Sequence, residues 1–198
     1  MKKTIFALST PESVSAIAII RISGPDTLNA LCMLCRCNVK SFKKKRTLIL
    51  KKIYSSDNTL LDEALVVSFD ENKSFTNEQM AELHIHGSII VIKTVMETLS
   101  KLPLLRQAFP GEFTQRALEN NKLNLTQVEG LSDLLKAETE YQQKQALDNY
   151  TGKTNKKIIK WKNKVLKILS LIEAHIDFYE DVDLSLIHIS EPTRPERI

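Results

Sequence analysis

The sequence predicts an α+β protein: a mixed α/β domain followed by long helices forming part of a helical bundle. Three observations carry this reading. Strand-like and helix-like segments interleave up to about residue 118, the character changes after Pro110-Gly111, and beyond Gly152 apolar residues recur at helical spacing. With 198 residues, 42% of them hydrophobic, the chain has enough mass to bury a core. Only 6 prolines and 5 glycines, with near-balanced charge, exclude a disordered or low-complexity chain.

Residues 4–8 and 16–23 (Ala-Ile-Ala-Ile-Ile-Arg-Ile-Ser) are rich in β-branched side chains and read as strands. Gly24-Pro25-Asp26 breaks the chain, and 26–36 reads as an apolar helix. A strand is expected over 46–55, closed by the turn Ser56-Asp57-Asn58, with further strands over 63–69 and 80–86. A helix follows over 89–101, and Pro103 stops it. Glu112 and Arg116 stand four apart, on one helical turn, and can pair. Asn120-Asn121 reads as that helix's end, so Lys122 projects from a loop near a domain junction placed at 118–124.

Thr126 and Glu129 have the spacing of a capping box, which predicts one polar helix running to about Asn149. Beyond Gly152, apolar residues at 158, 161, 165, 168 and 172 share a helical stripe. Lys153, Lys157, Lys160, Lys164 and Lys167 line up beside it. Two amphipathic helices predict an antiparallel pair or part of a bundle. The expected organisation is therefore a domain over 1–118 and the first part of a helical domain over 119–184. Residues 185–198 hold two prolines and no helical period, and they look like translated sequencing-adapter sequence. The native chain is expected to break off at about Leu184, with a non-native tail after it.

Charge is strongly patterned behind a net value of +4. Residues 40–52 hold seven basic side chains (Lys40, Lys43, Lys44, Lys45, Arg46, Lys51, Lys52), 153–167 hold seven lysines, and neither run contains an acid. Such runs fit either an anionic partner such as nucleic acid or two solvated faces. Cys32, Cys35 and Cys37 lie on an apolar segment without a second C-x-x-C, and read as buried thiols rather than metal ligands. No apolar run reaches the ~20 residues that span a bilayer, so no membrane association is expected. The short apolar start is too brief for a secretory signal, and the cytosol is the expected compartment. No two glycines have the five-residue spacing of G-x-x-x-x-G-K-[ST], and no G-x-G-x-x-G occurs. The two common glycine-loop devices for nucleotides are thus excluded within these residues.

Two groups of residues could carry chemistry. Glu82, His84 and His86 alternate along a strand and point to one face, which suits either a metal or acid–base constellation or plain polar alternation. Arg21 sits within an apolar strand, where a buried charge needs a partner. Glu82 on another strand is the candidate, and an edge position facing solvent is the alternative.

Several short motifs in order make the chain recognisable. They are Arg-Ile-Ser-Gly-Pro (21–25), Ser-Phe-Thr (74–76), Glu-Leu-His-Ile-His-Gly (82–87) and Pro-Gly-Glu-Phe-Thr-Gln-Arg-Ala (110–117). Asn-Lys-Leu (121–123), Leu-Thr-Gln-Val-Glu-Gly (125–130), Asp133-Leu134, Ala137-Glu138 and Ile-Glu-Ala-His-Ile-Asp-Phe (172–178) follow. Over residues 4–184 the chain resembles the N-terminal part of the tRNA uridine-modification GTPases known as MnmE or TrmE. It departs from the family pattern at 11–16, where a glycine-rich stretch is usual, at Asn77, where glycine is usual, and at Gln79 and Asn124, where acids are usual.

The resemblance implies a folate-binding, dimerising domain over 1–118, similar to the folate domain of aminomethyltransferases, and the start of the central helical domain. Its folate contacts would fall on Arg21, Glu82 and Lys122, with no catalytic residue and no metal ligand in this chain. The implied ligand is a tetrahydrofolate derivative in its 5-formyl or methylene form. GTP, magnesium and potassium would belong to a G domain beyond this sequence, as would a catalytic cysteine motif. The implied partners are a second copy of the chain, an FAD-dependent MnmG/GidA protein and tRNA, in a bacterial cytoplasm sooner than a mitochondrion. Two other readings compete: a stand-alone folate-dependent aminomethyl-transfer domain, and a basic helical RNA-binding module.

Overall fold

The computed structural model describes residues 3–42 and 44–177. Lys43 of the first basic run, the end of the 172–178 motif and the expected tail lie outside the described residues. The chain divides into two compact units, Met1–Asn124 and Leu125–Ile198. The first holds a mixed sheet and the second is helical over its described residues, so the fold class is α+β, as the alternation of segments predicts.

In the first unit six strands, β1 (Thr4–Leu8), β2 (Ser15–Ser23), β3 (Ile49–Tyr54), β4 (Leu60–Phe69), β5 (Met80–Gly87) and β6 (Leu105–Gln107), form one sheet. Their order is β3-β4-β5-β2-β1-β6, antiparallel throughout except for the β1–β6 pair. Helices α1 (Thr27–Cys35) and α2 (Ile89–Ser100) cover one face. Period-2 alternation decides which side chains point there. Phe6 of β1, Ala18, Ile20 and Ile22 of β2, Val66 of β4 and Leu83 and Ile85 of β5 meet Leu31 and Leu34 of α1 and Val95 and Leu99 of α2 in one core. Gly87 closes β5 where a Cβ would fall 2.3 Å from the Ser15 carbonyl oxygen, so only glycine fits the approach of β2.

The alternate side chains of β2 and β5 present a second face with Arg21, Ser23, Met80, Glu82 and His84. Helix α3 (Glu112–Glu119) is tied to this face by a set of ion pairs. The predicted Glu112–Arg116 pair is present at 3.1 Å. Arg116 also reaches Glu78 at 3.0 Å and the Lys3 carbonyl at 2.8 Å, while Arg106 grips Glu112 at 2.5 and 2.8 Å.

Several expectations are corrected. The strand expected from residue 46 begins at Ile49, because Arg46 takes a left-handed turn (φ 60°) and donates its N–H to the Ser68 carbonyl instead. Strand β4 starts at Leu60, three residues early, and β6 was not expected at all. The single helix expected over 126–149 is two, α4 (Leu125–Lys136) and α5 (Glu140–Tyr150). Thr126 lies inside α4, and the capping box belongs to Thr139, whose side chain accepts from the Gln142 N–H while Gln142 Oε1 accepts from the Thr139 N–H. A residue in extended conformation at 139 cannot continue a helix, which is why the long helix breaks there.

Helices α4 and α5 pack closely through Gly130, where a Cβ would fall 2.6 Å from the Tyr150 nitrogen. The third helix of this unit, α6 (Lys153–Asp177), is 25 residues long and presents both its lysines and its apolar stripe to solvent. No helix among the described residues is long and apolar enough to cross a membrane.

Candidate functional site

The second sheet face brings two of the three expected site residues together. Arg21 and Glu82 are cross-strand neighbours in the β2–β5 register. Arg21 Nε donates to Glu82 Oε1 at 2.9 Å and its Nη2 lies 2.8 Å from the same oxygen. Strand arginine and strand carboxylate thus satisfy each other, as a charge placed in an apolar strand requires. Both side chains keep a path to solvent, 27% and 16% exposed.

Two aromatic rings flank the guanidinium. Phe75, from the loop before β5, and Phe113, on the first turn of α3, lie 5.5 and 5.8 Å from the Arg21 carbon. Sequence reading missed both. Each sat inside a motif quoted above, Ser-Phe-Thr and Pro-Gly-Glu-Phe-Thr, but spacing along the chain does not show that a loop and a helix converge on Arg21.

Lys122 stands on the turn that ends α3, fully outside the helix and exposed. Asn121 is left-handed there (φ 55°), and the Lys122 N–H donates to the Ala117 carbonyl at 2.8 Å. The turn is pinned to the loop before β5. Asn120 Nδ2 donates to the Thr76 carbonyl at 2.7 Å and Asn77 Nδ2 to the Asn120 carbonyl at 3.3 Å. Asn77 adopts the left-handed conformation (φ 58°) that its glycine-like position demands. Among the described residues Glu82 is paired with Arg21 and not with Lys122.

Beneath these groups lies a charge network that holds α3. Glu78, which accepts from Ser23 Oγ at 3.0 Å, and Glu112 share Arg116, whose side chain is 4% exposed. Hydrogen bonds from Arg106, helped by the Phe109 N–H and by Arg116, push the Glu112 carboxyl down to about 2 against its burial. Its partner Arg106 is correspondingly pushed up by Glu112. Arg116 and Glu78 therefore act on the site by placing Phe113 and the Lys122 turn.

The His residues of the same face divide. His86 is turned to solvent and gives its ring nitrogen Nδ1 to Asp62 at 2.7 Å, while its backbone N–H donates to the other Asp62 oxygen. His84 Nε2 stands 3.6 Å from Glu82 Oε2 and is buried with no hydrogen-bond partner. No group of three or more His, Cys, Asp or Glu that could hold a metal occurs among the described residues. On the opposite face, burial pushes the Cys35 thiol up to about 12, and burial likewise raises Cys32, so these thiols pack as apolar groups.

Fold and site define an α+β sheet domain with an arginine–glutamate pair set between two phenyl rings, followed by a helical unit. The sequence profile described as "GTP-binding protein TrmE N-terminus" matches residues 4–122, and that of the "MnmE helical domain" matches 125–191. Bacterial proteins named tRNA modification GTPase MnmE are similar along nearly the whole chain. That of Dinoroseobacter shibae is 43% identical over 178 residues, covering 90% of this chain and 41% of the relative. Those of Anaplasma phagocytophilum and of Wolbachia pipientis are 44% identical over 184 residues and 43% over 180, each covered to 40%. The chain belongs to the MnmE family and carries its N-terminal and helical domains. It spans about 40% of the length of the curated relatives it matches.

Proposed function

We propose that the sheet unit binds a tetrahydrofolate one-carbon donor at Arg21, Glu82 and Lys122, for use in modifying the wobble uridine C5 of tRNA. The Arg21–Glu82 pair between Phe75 and Phe113 carries this reading. Its chemistry fits folate group by group. Arg21 and Lys122 are cations for the anionic glutamate tail or the carbonyls. Glu82 Oε2, with no hydrogen bond among the described residues, can accept from pterin N–H groups. The two phenyl rings can cover a flat heterocycle. When bound, the folate supplies the one-carbon unit, and the protein's part is to orient it and exclude water.

The wider role follows from the family and is proposed with it. The chain would act as a homodimer through its first unit, with an FAD-dependent MnmG/GidA partner and tRNA, in the bacterial cytoplasm. GTP hydrolysis would rest on parts of the protein other than these residues, which contain no glycine phosphate loop.

The test is calorimetric titration of the protein with 5-formyltetrahydrofolate. Glu82→Ala is expected to weaken binding by about tenfold or more, the scale of one lost charge-assisted hydrogen bond. Unchanged affinity in this variant would remove Glu82 from the site. The lysine stripe of α6, exposed along its length, favours a second activity in binding RNA. Its mark would be a steep fall of tRNA affinity with salt in filter binding.

A further inference from the structure

The Glu82 carboxylate is held unevenly. Two nitrogens of Arg21 act on Oε1, at 2.9 and 2.8 Å. Among the described residues Oε2 meets only His84 Nε2, at 3.6 Å, which is beyond a hydrogen bond. That nitrogen is buried and has no partner of its own. A buried polar atom left unpaired is uncommon in folded proteins and calls for a use.

The surroundings narrow that use. Ile19 on β2 and Leu65 on β4 are the strand neighbours of His84, so it is flanked by hydrocarbon on both sides. The charged or titratable groups on this face are few. On β5 they are Glu82 and His86, on β2 Arg21, on β4 Glu63 and on β3 its strand neighbour Lys52. His86 is already taken by Asp62. From α3 and the loop before β5 come the phenyl rings against Arg21, which cannot neutralise a carboxylate, and the charges of Arg116 and Glu78, which are paired with each other. Among the ion pairs of the described residues Glu82 meets Arg21 and His84, so if Arg21 turns to an anionic ligand, His84 is the partner left beside Oε2.

We infer that His84 is the reserve partner of Glu82: when an anionic ligand draws Arg21 away, His84 takes a proton from solvent and holds the carboxylate in its place. Imidazole is the side chain whose ring nitrogen can exchange a proton near neutral pH, and Nε2 already faces Oε2 at 3.6 Å. No bond is made or broken except that N–H. His84 is thus a positioning residue, acting through Glu82 on the ligand's orientation. The inference rests on the folate reading above and adds to it a proton that binding must take up.

The experiment is titration of the protein with 5-formyltetrahydrofolate in two buffers of different ionisation enthalpy, repeated between about pH 6 and about pH 8. The wild-type heats should differ between buffers by the amount that reports uptake of a fraction of one proton. Affinity should tighten about threefold or more per pH unit on acidification. His84→Gln, which keeps an amide donor but cannot titrate, should bind with equal heats in both buffers and a flat pH profile. His84→Asn gives the same readout should the glutamine variant not fold. His86→Gln should keep the proton uptake. Equal heats in the wild type, uptake that survives in His84→Gln or His84→Asn, or uptake lost in His86→Gln each overturns the assignment to His84 while leaving folate binding standing. No binding heat for the wild type in any buffer overturns the folate reading itself, and this inference with it.

Discussion

The two units obey the same amphipathic code and end in opposite states. In the sheet unit the alternating strands and α1 and α2 enclose one apolar core, from Phe6 to Leu99, with side chains such as Leu8 and Met96 half-buried at its margin. In the helical unit Ala146 is the one buried hydrophobic residue among the described positions beyond 124. Helix α6 leaves Trp161 and Val165 more than 60% exposed. A stripe at 3–4 spacing predicts a helix equally well in both cases, but it stabilises the fold only where something covers it. The sheet unit is held by a core and a charge network; the helical unit depends on caps and on one close backbone approach.

This contrast can be broken most forcefully at Arg116. Its side chain joins Glu78, Glu112 and the Lys3 carbonyl while almost wholly buried. Arg116→Leu keeps much of the volume and strands Glu78 without its ion partner. Losing one member of a buried network costs about 3–5 kcal/mol. Hydrogen exchange should show protection lost across residues 1–124, with α4–α6 unchanged. An equal loss in both units would show that the network does not belong to the sheet unit alone.

Acid should reach the same unit next. The Glu112 carboxyl is pushed down from its usual 4.5 to about 2, so the folded state binds its proton more weakly than the unfolded chain. Its stabilisation is therefore complete above about pH 4.5 and is lost as pH falls towards about 2, by about 3 kcal/mol at most. Urea midpoints across that window should fall more steeply in the wild type than in Glu112→Gln. Parallel slopes would mean that Glu112 contributes nothing to the acid response.

How much of this was legible in the sequence differs by feature, for physical reasons. The Arg21–Glu82 pair could be expected, because a charge inside an apolar strand has few ways to be satisfied and Glu82 also lies on a strand. Phe75, Phe113 and Glu78 could not, because loops and a helix entry bring them in and no periodicity encodes that approach. Strand β6 spans only three residues, too few to show alternation. The break between α4 and α5 was hidden by a real ambiguity: Thr126 and Thr139 each stand three residues before a Glu or Gln. Only the backbone at Thr139 is extended, and the cap formed there.

In the helical unit the expected effects are smaller and local. Gly130→Ala gains up to about 1 kcal/mol of helix propensity. It also sets a Cβ 2.6 Å from the Tyr150 nitrogen and 3.0 Å from the Ala146 carbonyl oxygen, backbone atoms that cannot rotate aside. Overpacking of this kind costs about 1–3 kcal/mol, so the clash outweighs the propensity gain. Faster hydrogen exchange through α4 and α5 should report it. A neutral or stabilising outcome would show that the helix pair can slide apart freely.

The mildest test concerns the cap that separates those helices. Thr139 Oγ1 accepts from the Gln142 N–H at 3.3 Å, and Gln142 Oε1 accepts in return from the Thr139 N–H at 3.0 Å. Thr139→Ala deletes the first bond and leaves the second able to form, so the loss should sit near about 1 kcal/mol. Alanine also favours helix, which here acts against the fold: it lowers the barrier to running α4 into α5 as the one long helix expected from the pattern. The variant should therefore lose protection at the first turn of α5, between residues 140 and 143, while gaining it at 137–139. A uniform loss would mean that the cap merely stabilises α5. The opposed pair of changes would show that a single threonine chooses between one helix and two.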